Sequence, residues 1–541
     1  MPTPYQTHIG SFTRKSTFFW AAVGATVGLA NLWQFPYLAS LHGGGLFILL
    51  YLGCLLLVTL PLMITEAVIG RHARHGIVLA MDGLIRSAKR SRAWMAVGRL
   101  SILGAFLVLS FTAVFGAIAL AYVFYGAVGR FSGVGHAEAT GILAALVSDP
   151  REFRVFMGWH GFFLVMVLWV SGQGVVGGLE RAFRIVAPGT LMLMLALFGL
   201  AAWYGRIDGA MSQILEMHPQ DLTWGSLSAA LFHAFYTLGL GMGVWAVLGA
   251  YTTPNTQLKR SILAVVLMDT LVAILAGLMI FAMATQGSAF DGERGFSLLF
   301  VSLPVSLAEL PASQFVIATV FLMVVMIVWS TALALLEPVV GWFREWTGAP
   351  RGLSVLLVGL VVWLAGLASL FSFNLWSQYR LGGATVFRWL ELLTGGLMIP
   401  LVSILIALFT GWCLTRNLSK SMLGKTPGLF GTIWFWVMRL VLPLVVAYIG
   451  VHYTAGSLVN MCDTGSEALW CEPGPGLVLQ EQNGTPPQII ETGSAGVVDD
   501  GAGEGAGELL PAEQATENKP DLPQSLPQNA PKDGDILYHS V

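Results

Sequence analysis

Residues 23–36 read Val23-Gly24-Ala25-Thr26-Val27-Gly28-Leu29-Ala30-Asn31-Leu32-Trp33-Gln34-Phe35-Pro36 and lie inside an apolar run, 17–39, long enough to cross a bilayer. Glycines and an asparagine amide interrupt that run at mid-depth, where a membrane helix is expected to be continuous. In hydrocarbon every backbone N–H and C=O needs a partner, so a broken helix is tolerated only where it lines a cavity or binds something. A helix opened near the midplane turns N–H groups toward an anion and free carbonyls toward a cation. The stretch therefore reads as a binding site for a small solute and an alkali ion.

The rest of the chain supplies the membrane. Of 541 residues, 55% are hydrophobic and only 11% charged, a profile that excludes a soluble globule and fits an all-α polytopic membrane protein in a lipid bilayer. Apolar runs near 17–39, 45–69, 97–126, 157–174, 182–204, 226–250, 261–284, 314–341, 353–372, 392–413 and 429–453 predict about eleven transmembrane helices. Residues 1–16 form a short N-terminal segment without a small-residue cleavage site, so the first run is expected to be retained. The formal net charge of −2 gives no reason to expect a nucleic-acid partner.

Orientation is read from basic residues in short loops. Arg71, Arg74, Arg86, Lys89, Arg90, Arg92 and Arg99 crowd the 70–99 loop, and Arg181, Arg184, Lys259, Arg260, Arg344, Arg351, Arg416, Lys420 and Lys425 fall on the same side. Loops on the other side carry Asp208, Glu216, Asp221, Asp291 and Glu293. A cytoplasmic N-terminus follows, and an odd number of spans puts the C-terminus outside a plasma (inner) membrane. Residues 455–541 are rich in Gly, Pro, Gln, Asp and Glu and are expected to be disordered. At their start, Cys462 and Cys471 read either as a disulfide on the outer side or as two free thiols. Cys54 and Cys413 fall within spans and read as small packing residues.

A second span is interrupted as well. Ala234-Phe235-Tyr236-Thr237-Leu238-Gly239-Leu240-Gly241-Met242-Gly243 sets three glycines at alternate positions of the sixth run. One such helix would suit a small-residue packing face. Two, five spans apart and each beside polar residues, point to a transporter built from two inverted five-helix repeats, about 17–204 and 226–413, with an extra helix at 429–453. Asp269 stands out independently, because a carboxylate inside a span costs at least about 2.5–3.5 kcal/mol and is functional by default.

Over roughly residues 10–455 the chain resembles the neurotransmitter:sodium symporters, in their bacterial branch. The resemblance is carried by Gly28 to Pro36, Gly43-Gly44-Gly45, Pro61-Leu62-Met63 with Glu66 and Gly70-Arg71, and Gly178-Leu179-Glu180 with Pro188. It continues through Leu238 to Gly243, Asp269-Thr270-Leu271 with Ala276-Gly277, and Ser330-Thr331 with Glu337-Pro338. It implies sodium-coupled import of an amino acid or related amine-bearing solute by alternating access. It also implies two Na+ sites, the first using Thr26, Asn31, Thr237 and Asp269, the second Gly24, Val27, Ile327, Ser330 and Thr331. A permanent carboxylate at Asp269 would replace the anion that chloride-dependent members need, so chloride independence is expected. Should Asp269 take a proton after the cations leave, proton counter-transport follows. Gly178 and Pro188 match a pattern linked in the family to loosening of the fifth helix and inward release of the second ion.

The solute pocket implied by the resemblance contains Ala25, Thr26, Gly28, Val108, Thr112, Tyr236, Thr237, Gly239, Met242 and Leu335, with Tyr236 capping it from outside. Here the chain departs from its family. Thr112 stands where a tyrosine usually binds the solute carboxylate. The outer gate positions hold Gln34 and Glu391 in place of an Arg–acid pair. At the inner gate, Phe12 and Ile9 replace a Trp and an Arg, although Glu345 keeps the acidic position. Three readings follow: an amino acid whose carboxylate is held by the Gly28 region and sodium, a solute lacking the usual α-carboxylate, or a non-transporting solute sensor. An intramembrane enzyme would need a nucleophile–base pair or a metal cluster in the spans, and His233 has no such companions in sequence.

Overall fold

The computed structural model describes residues 9–284, 296–415, 422 and 428–463. Residues 464–541, and with them Cys471, lie outside the described residues, as do Asp291, Glu293, Arg416, Lys420 and Lys425. Described residues are almost wholly helical, extended pairing being confined to isolated bridges such as Gly44 with Met217. Among them, nine helices are long and apolar enough to cross a membrane. The two apolar runs absent from that set are 17–39 and 226–250, because their helices are broken into pieces too short to qualify. With those two restored, the eleven crossings read from hydropathy are all present.

The first crossing consists of α1 (Lys15–Thr26), α2 (Leu29–Leu32) and α3 (Gln34–Leu41). α4 (Gly45–Cys54) and α5 (Leu60–Ala73) make the second, joined by a π-helical stretch at Leu55–Thr59. After α6 (Ile77–Ser87), the third, fourth and fifth crossings are α7 (Met95–Ala127), α9 (Phe153–Gly172) and α10 (Arg181–Tyr204), with α8 (His136–Val147) between the first two of these. α11 (Ile207–Ile214) leads to the second broken crossing, α12 (Trp224–Tyr236) and α13 (Val244–Tyr251). α14 (Leu258–Ala284), α15 (Leu303–Ala308), α16 (Ser313–Thr347) and α17 (Arg351–Phe373) follow. The tenth crossing is α18 (Val386–Glu391), a π-helical stretch Leu392–Met398 and α19 (Ile399–Leu408). α20 (Gly428–Trp436) and α21 (Leu442–Asp463) form the eleventh, which runs past the boundary at 453 set by hydropathy.

α7 and α16 pack together over much of their length, as at Tyr122 and Phe321, whose rings lie 4.8 Å apart. α5 and α13 approach backbone to backbone. Gly70 faces Ala246 and Gly249 faces Ala67 so closely that a β-carbon at either glycine would strike the opposing carbonyl. Such small-residue crossings replace the hydrophobic drive that is missing between helices in lipid. They also press the second half of the broken sixth crossing against the second span.

Arg71 and Arg74, at the end of α5, donate to carbonyls beyond and at the end of α13, Arg71 to those of Pro254 and Thr256 (2.8 Å each) and Arg74 to that of Ala250 (3.1 Å). Cations are favoured at that negative pole.

Gly249→Val is therefore expected to destabilise the protein by about 1–3 kcal/mol or more. Gly199→Ala, where a β-carbon meets nothing within 4 Å, should be neutral or mildly stabilising. Thermal midpoints of the two purified variants in one detergent check this; equal midpoints would contradict the close crossing.

Candidate functional site

The first break lies at Val27 (φ −64°, ψ 105°) and Gly28 (φ −125°, ψ −175°), both extended. Opening the helix here strands backbone groups, and side chains collect them. The Gly28 N–H donates to Asn31 Oδ1 (3.0 Å), and the Val27 carbonyl accepts from the Thr331 hydroxyl of α16 (3.3 Å). The second break spans the segment between α12 and α13. Gly239, Gly241 and Gly243 have φ of +62°, +73° and +70°, the left-handed region that side-chain-bearing residues avoid. The alternating glycines of the sequence are thus the three reversals of the unwound segment.

Glu66 of α5, fully buried, accepts the Gly241 N–H at 2.8 Å, while the Trp245 indole donates to the Leu238 carbonyl at 2.8 Å. Thr59, in the π-helical stretch of the second crossing, donates its hydroxyl to the Ala234 carbonyl (2.9 Å). Sequence reasoning noted Glu66 only as part of a motif. Its signal was the same as that of Asp269: a carboxylate in an apolar span.

Around the junction of the breaks, Asn31, Thr237, Thr26 and Asp269 come together. The Thr237 hydroxyl donates to Asn31 Oδ1 (3.3 Å), and Asn31 Nδ2 donates to the Asp269 carbonyl (3.4 Å). Asp269 is wholly buried on α14, its Oδ2 accepting from Tyr51 (3.4 Å) and its Oδ1 without a hydrogen-bond partner. Tyr51 is a member that sequence reasoning did not find, since a tyrosine in a span carries no distinctive signal. The His233 ring lies 5.2 Å from that of Tyr51 and 5.5 Å from that of Phe35, packed among aromatics.

The second expected set also assembles. The Thr331 hydroxyl reaches the carbonyls of both Val27 (3.3 Å) and Ile327 (3.2 Å). Ser330 donates to the Met326 carbonyl at 2.5 Å, and a β-carbon at Gly24 would stand 3.2 Å from the Ser330 β-carbon. The Val27 carbonyl of the broken helix and the Ile327 carbonyl of the intact one thus converge on the Thr331 hydroxyl. Leading into α10, Val175–Glu180 is π-helical around Gly178, and Pro188 interrupts the ladder further on. Glu180 there accepts from the Thr13 N–H (2.7 Å) and the Thr17 hydroxyl (2.7 Å), fixing the first turn of α1 to this loosened segment.

Pocket positions follow from the breaks. Val108 and Thr112 lie about one turn apart on α7, and Met242 approaches that helix at Gly104 while also lying against Gly239. Leu335 is one turn beyond Thr331 on α16, and Ala25 and Gly28 flank the first break, partly exposed. Tyr236, at the end of α12, packs against Tyr453 of α21, the rings tilted at 47° with 5.4 Å between them.

At the positions read as gates, the acidic side chains find partners close by. Glu391 does not bond Gln34: its Oε2 accepts from Arg388 one turn earlier (2.8 Å), and its Oε1 has no hydrogen-bond partner. A local i,i+3 pair on one helix needs no closure between helices to form. Glu345 accepts from the Gly76 N–H (2.9 Å) and pairs with His75 (3.1 Å). Phe12 packs edge-on to Tyr251 (5.4 Å), its N–H donating to the Tyr251 carbonyl, and Ile9 is buried beside this end of the bundle.

Two broken membrane helices facing each other across buried oxygens define a secondary transporter of the broken-helix type. The chain belongs to the Sodium:neurotransmitter symporter family, whose model matches residues 10–131 and 161–465. It is 30% identical over 438 residues to the sodium-dependent transporter YhdH of Bacillus subtilis, covering 80% of this chain and 95% of that one. A sodium-dependent transporter of Haemophilus influenzae is 25% identical over 452 residues, covering 81% and 97% of the two chains. Among solved structures, MhsT in complex with L-phenylalanine superposes with a TM-score of 0.72 at 26% identity, covering 82% of this chain and 99% of that one.

Removing the Glu66 acceptor leaves the Gly241 N–H unpaired in a dry interior. Glu66→Ala should cost about 1–3 kcal/mol, whereas Glu66→Gln retains an acceptor and should cost less. Chemical or thermal unfolding of both variants orders them; equal losses would mean that the contact does not hold the break.

Proposed function

We propose that the protein imports a small amine-bearing solute, an amino acid in the first instance, by alternating access coupled to two Na+ ions. The observation that carries this reading is the fully buried Asp269 carboxylate at the meeting of both breaks, with Asn31, Thr237 and Thr26 around it. An isolated carboxylate in hydrocarbon demands a counter-charge, and a cation held by neutral oxygens beside it supplies one. The first ion takes Thr26, Asn31, Thr237 and Asp269. The second takes the carbonyls of Gly24, Val27 and Ile327 and the hydroxyls of Ser330 and Thr331. Each ion gains about 2.3 kcal/mol from 100 mV and about 1.4 from a tenfold gradient, so two provide roughly 7 kcal/mol.

Asp269 also carries the negative charge that a chloride would otherwise bring, which makes transport chloride-independent. The relative MhsT holds L-phenylalanine, and the solute here lies against Ala25, Gly28, Val108, Thr112, Tyr236, Gly239, Met242 and Leu335. The short Thr112 hydroxyl leaves the solute's anionic end, if it has one, to the Gly28 N–H region and the first sodium ion. The N-terminus lies in the cytoplasm and residues 455–541 outside the plasma (inner) membrane, as loop charges favour.

Thermal stabilisation of purified protein by NaCl against KCl, across amino acids, amines and betaines, tests this reading. A solute at a hundredfold its Kd should add about 2.7 kcal/mol, only in sodium. Replacing chloride by gluconate should change nothing, and Asp269→Ala or Asn31→Ala should each abolish the sodium effect. Solute stabilisation indifferent to sodium would defeat the symport reading.

A further inference from the structure

The tenth crossing carries a carbonyl that its own helix cannot satisfy. In an α-helix the Gly395 C=O would accept from the N–H of Ile399, but in the π-helical register of Leu392–Met398 that N–H goes to Thr394 instead. The π partner of Gly395 would be residue 400, and residue 400 is proline, which has no N–H. Register and sequence together orphan one acceptor at membrane depth, where an unpaired group is expensive. The Tyr236 hydroxyl fills it: it donates to the Gly395 carbonyl at 2.7 Å in a buried contact.

The surroundings hold this contact in place. The Tyr453 ring of α21 lies 5.4 Å from that of Tyr236 and within 3.1 Å of where a Gly395 β-carbon would sit. Gly450, one turn earlier on α21, packs against Pro400 in the same way (2.9 Å to its Cβ). Tyr236 thus ends α12 at the second break while its hydroxyl reaches across to the tenth crossing. The ion-pair positions of the outer gate make no such tie, because Glu391 is engaged by Arg388.

We infer that the Tyr236–Gly395 hydrogen bond is the outer latch of this transporter, joining the broken sixth crossing to the tenth where Gln34, a neutral amide, makes no ion pair with Glu391. Tyr236 is then a positioning residue through its hydroxyl, as well as a wall of the pocket through its ring. The phenol is what matters for the latch. The inference rests on the proposed alternating access, but its central contact is independent of the solute.

The test is accessibility. A Gln34→Cys reporter in full-length protein, with Cys462→Ser and Cys471→Ser to silence two other thiols, is placed in lipid nanodiscs and labelled with a charged maleimide in NaCl. Tyr236→Phe keeps the ring and removes the donor, so labelling should quicken about fivefold, the factor carried by a hydrogen bond of ~1 kcal/mol. Pro400→Ala supplies a backbone N–H that competes for the Gly395 carbonyl and should act in the same direction. Combined, the two should do no more than Tyr236→Phe alone. Labelling of Tyr236→Phe at the parent rate, or full additivity of the pair, would overturn the latch. Sodium-insensitive labelling of the parent would instead count against ion coupling and leave the comparison of variants in one buffer intact.

Discussion

The constraint that organises this molecule is that no backbone donor or acceptor at bilayer depth goes unpaired without a large penalty. An intact helix meets it internally. The two broken crossings cannot, and their loose groups are collected by side chains from elsewhere: Asn31 for Gly28, Thr331 for Val27, Glu66 for Gly241 and Trp245 for Leu238. Two of those four side chains, Thr331 and Glu66, belong to other crossings, while Asn31 and Trp245 lie on the second halves of the broken ones. The unwound segments are therefore not slack; each is held in one conformation by the helices around it.

That arrangement divides the bundle into parts that fix and parts that loosen. α7 with α16, and α5 with α13, pack closely and over long stretches. The π-helical stretches at Leu55–Thr59, Val175–Glu180 and Leu392–Met398 each bond a broken crossing, through Thr59 to Ala234, Glu180 to Thr17 and Gly395 to Tyr236. A π turn leaves one residue outside the α register and weakens the ladder locally. At Glu180 this weak point is also the anchor of α1, since its carboxylate caps the first turn of that helix. At Gly395 it exposes the acceptor that Tyr236 occupies.

Much of this was legible in the sequence, for identifiable reasons. Spans announce themselves by hydropathy, and Gly239, Gly241 and Gly243 mark the second break because only glycine adopts their positive φ at little cost. Asp269, Ser330 and Thr331 are conspicuous because polar oxygens are rare in such runs. What stayed hidden are features with no one-dimensional signature. Nothing in a hydropathy profile marks a π register, so the free Gly395 carbonyl could not be foreseen. Tyr51 reads as one more aromatic until it is seen to bond Asp269. Arg388, one turn from Glu391, offers a local partner that outcompetes the long-range pairing with Gln34. α21 is helical through Asp463, the last of the described residues there, so helical backbone continues past the point where apolar composition fades.

The same physics bears on where the departures from the family fall, at Thr112 in the pocket, Gln34 outside and Phe12 and Ile9 inside, all of them apart from the proposed ion ligands. The ion sites proposed above rest in part on backbone carbonyls, at Gly24, Val27 and Ile327, whose positions are set by φ and ψ, joined by small hydroxyls, one amide and one carboxylate. Substituting side chains nearby leaves such carbonyls where they are. The proposed solute-facing surface, in contrast, is made of side chains, at Val108, Thr112, Tyr236, Met242 and Leu335, and each can change without disturbing the backbone of the proposed ion sites. Tyr236 is where the two regimes meet. Its ring belongs to the variable wall, yet its hydroxyl satisfies a backbone acceptor as binding on the fold as any bond at the breaks. A substitution there that suits a different solute must still answer to the Gly395 carbonyl, and that restricts this position more than its place in a pocket would suggest.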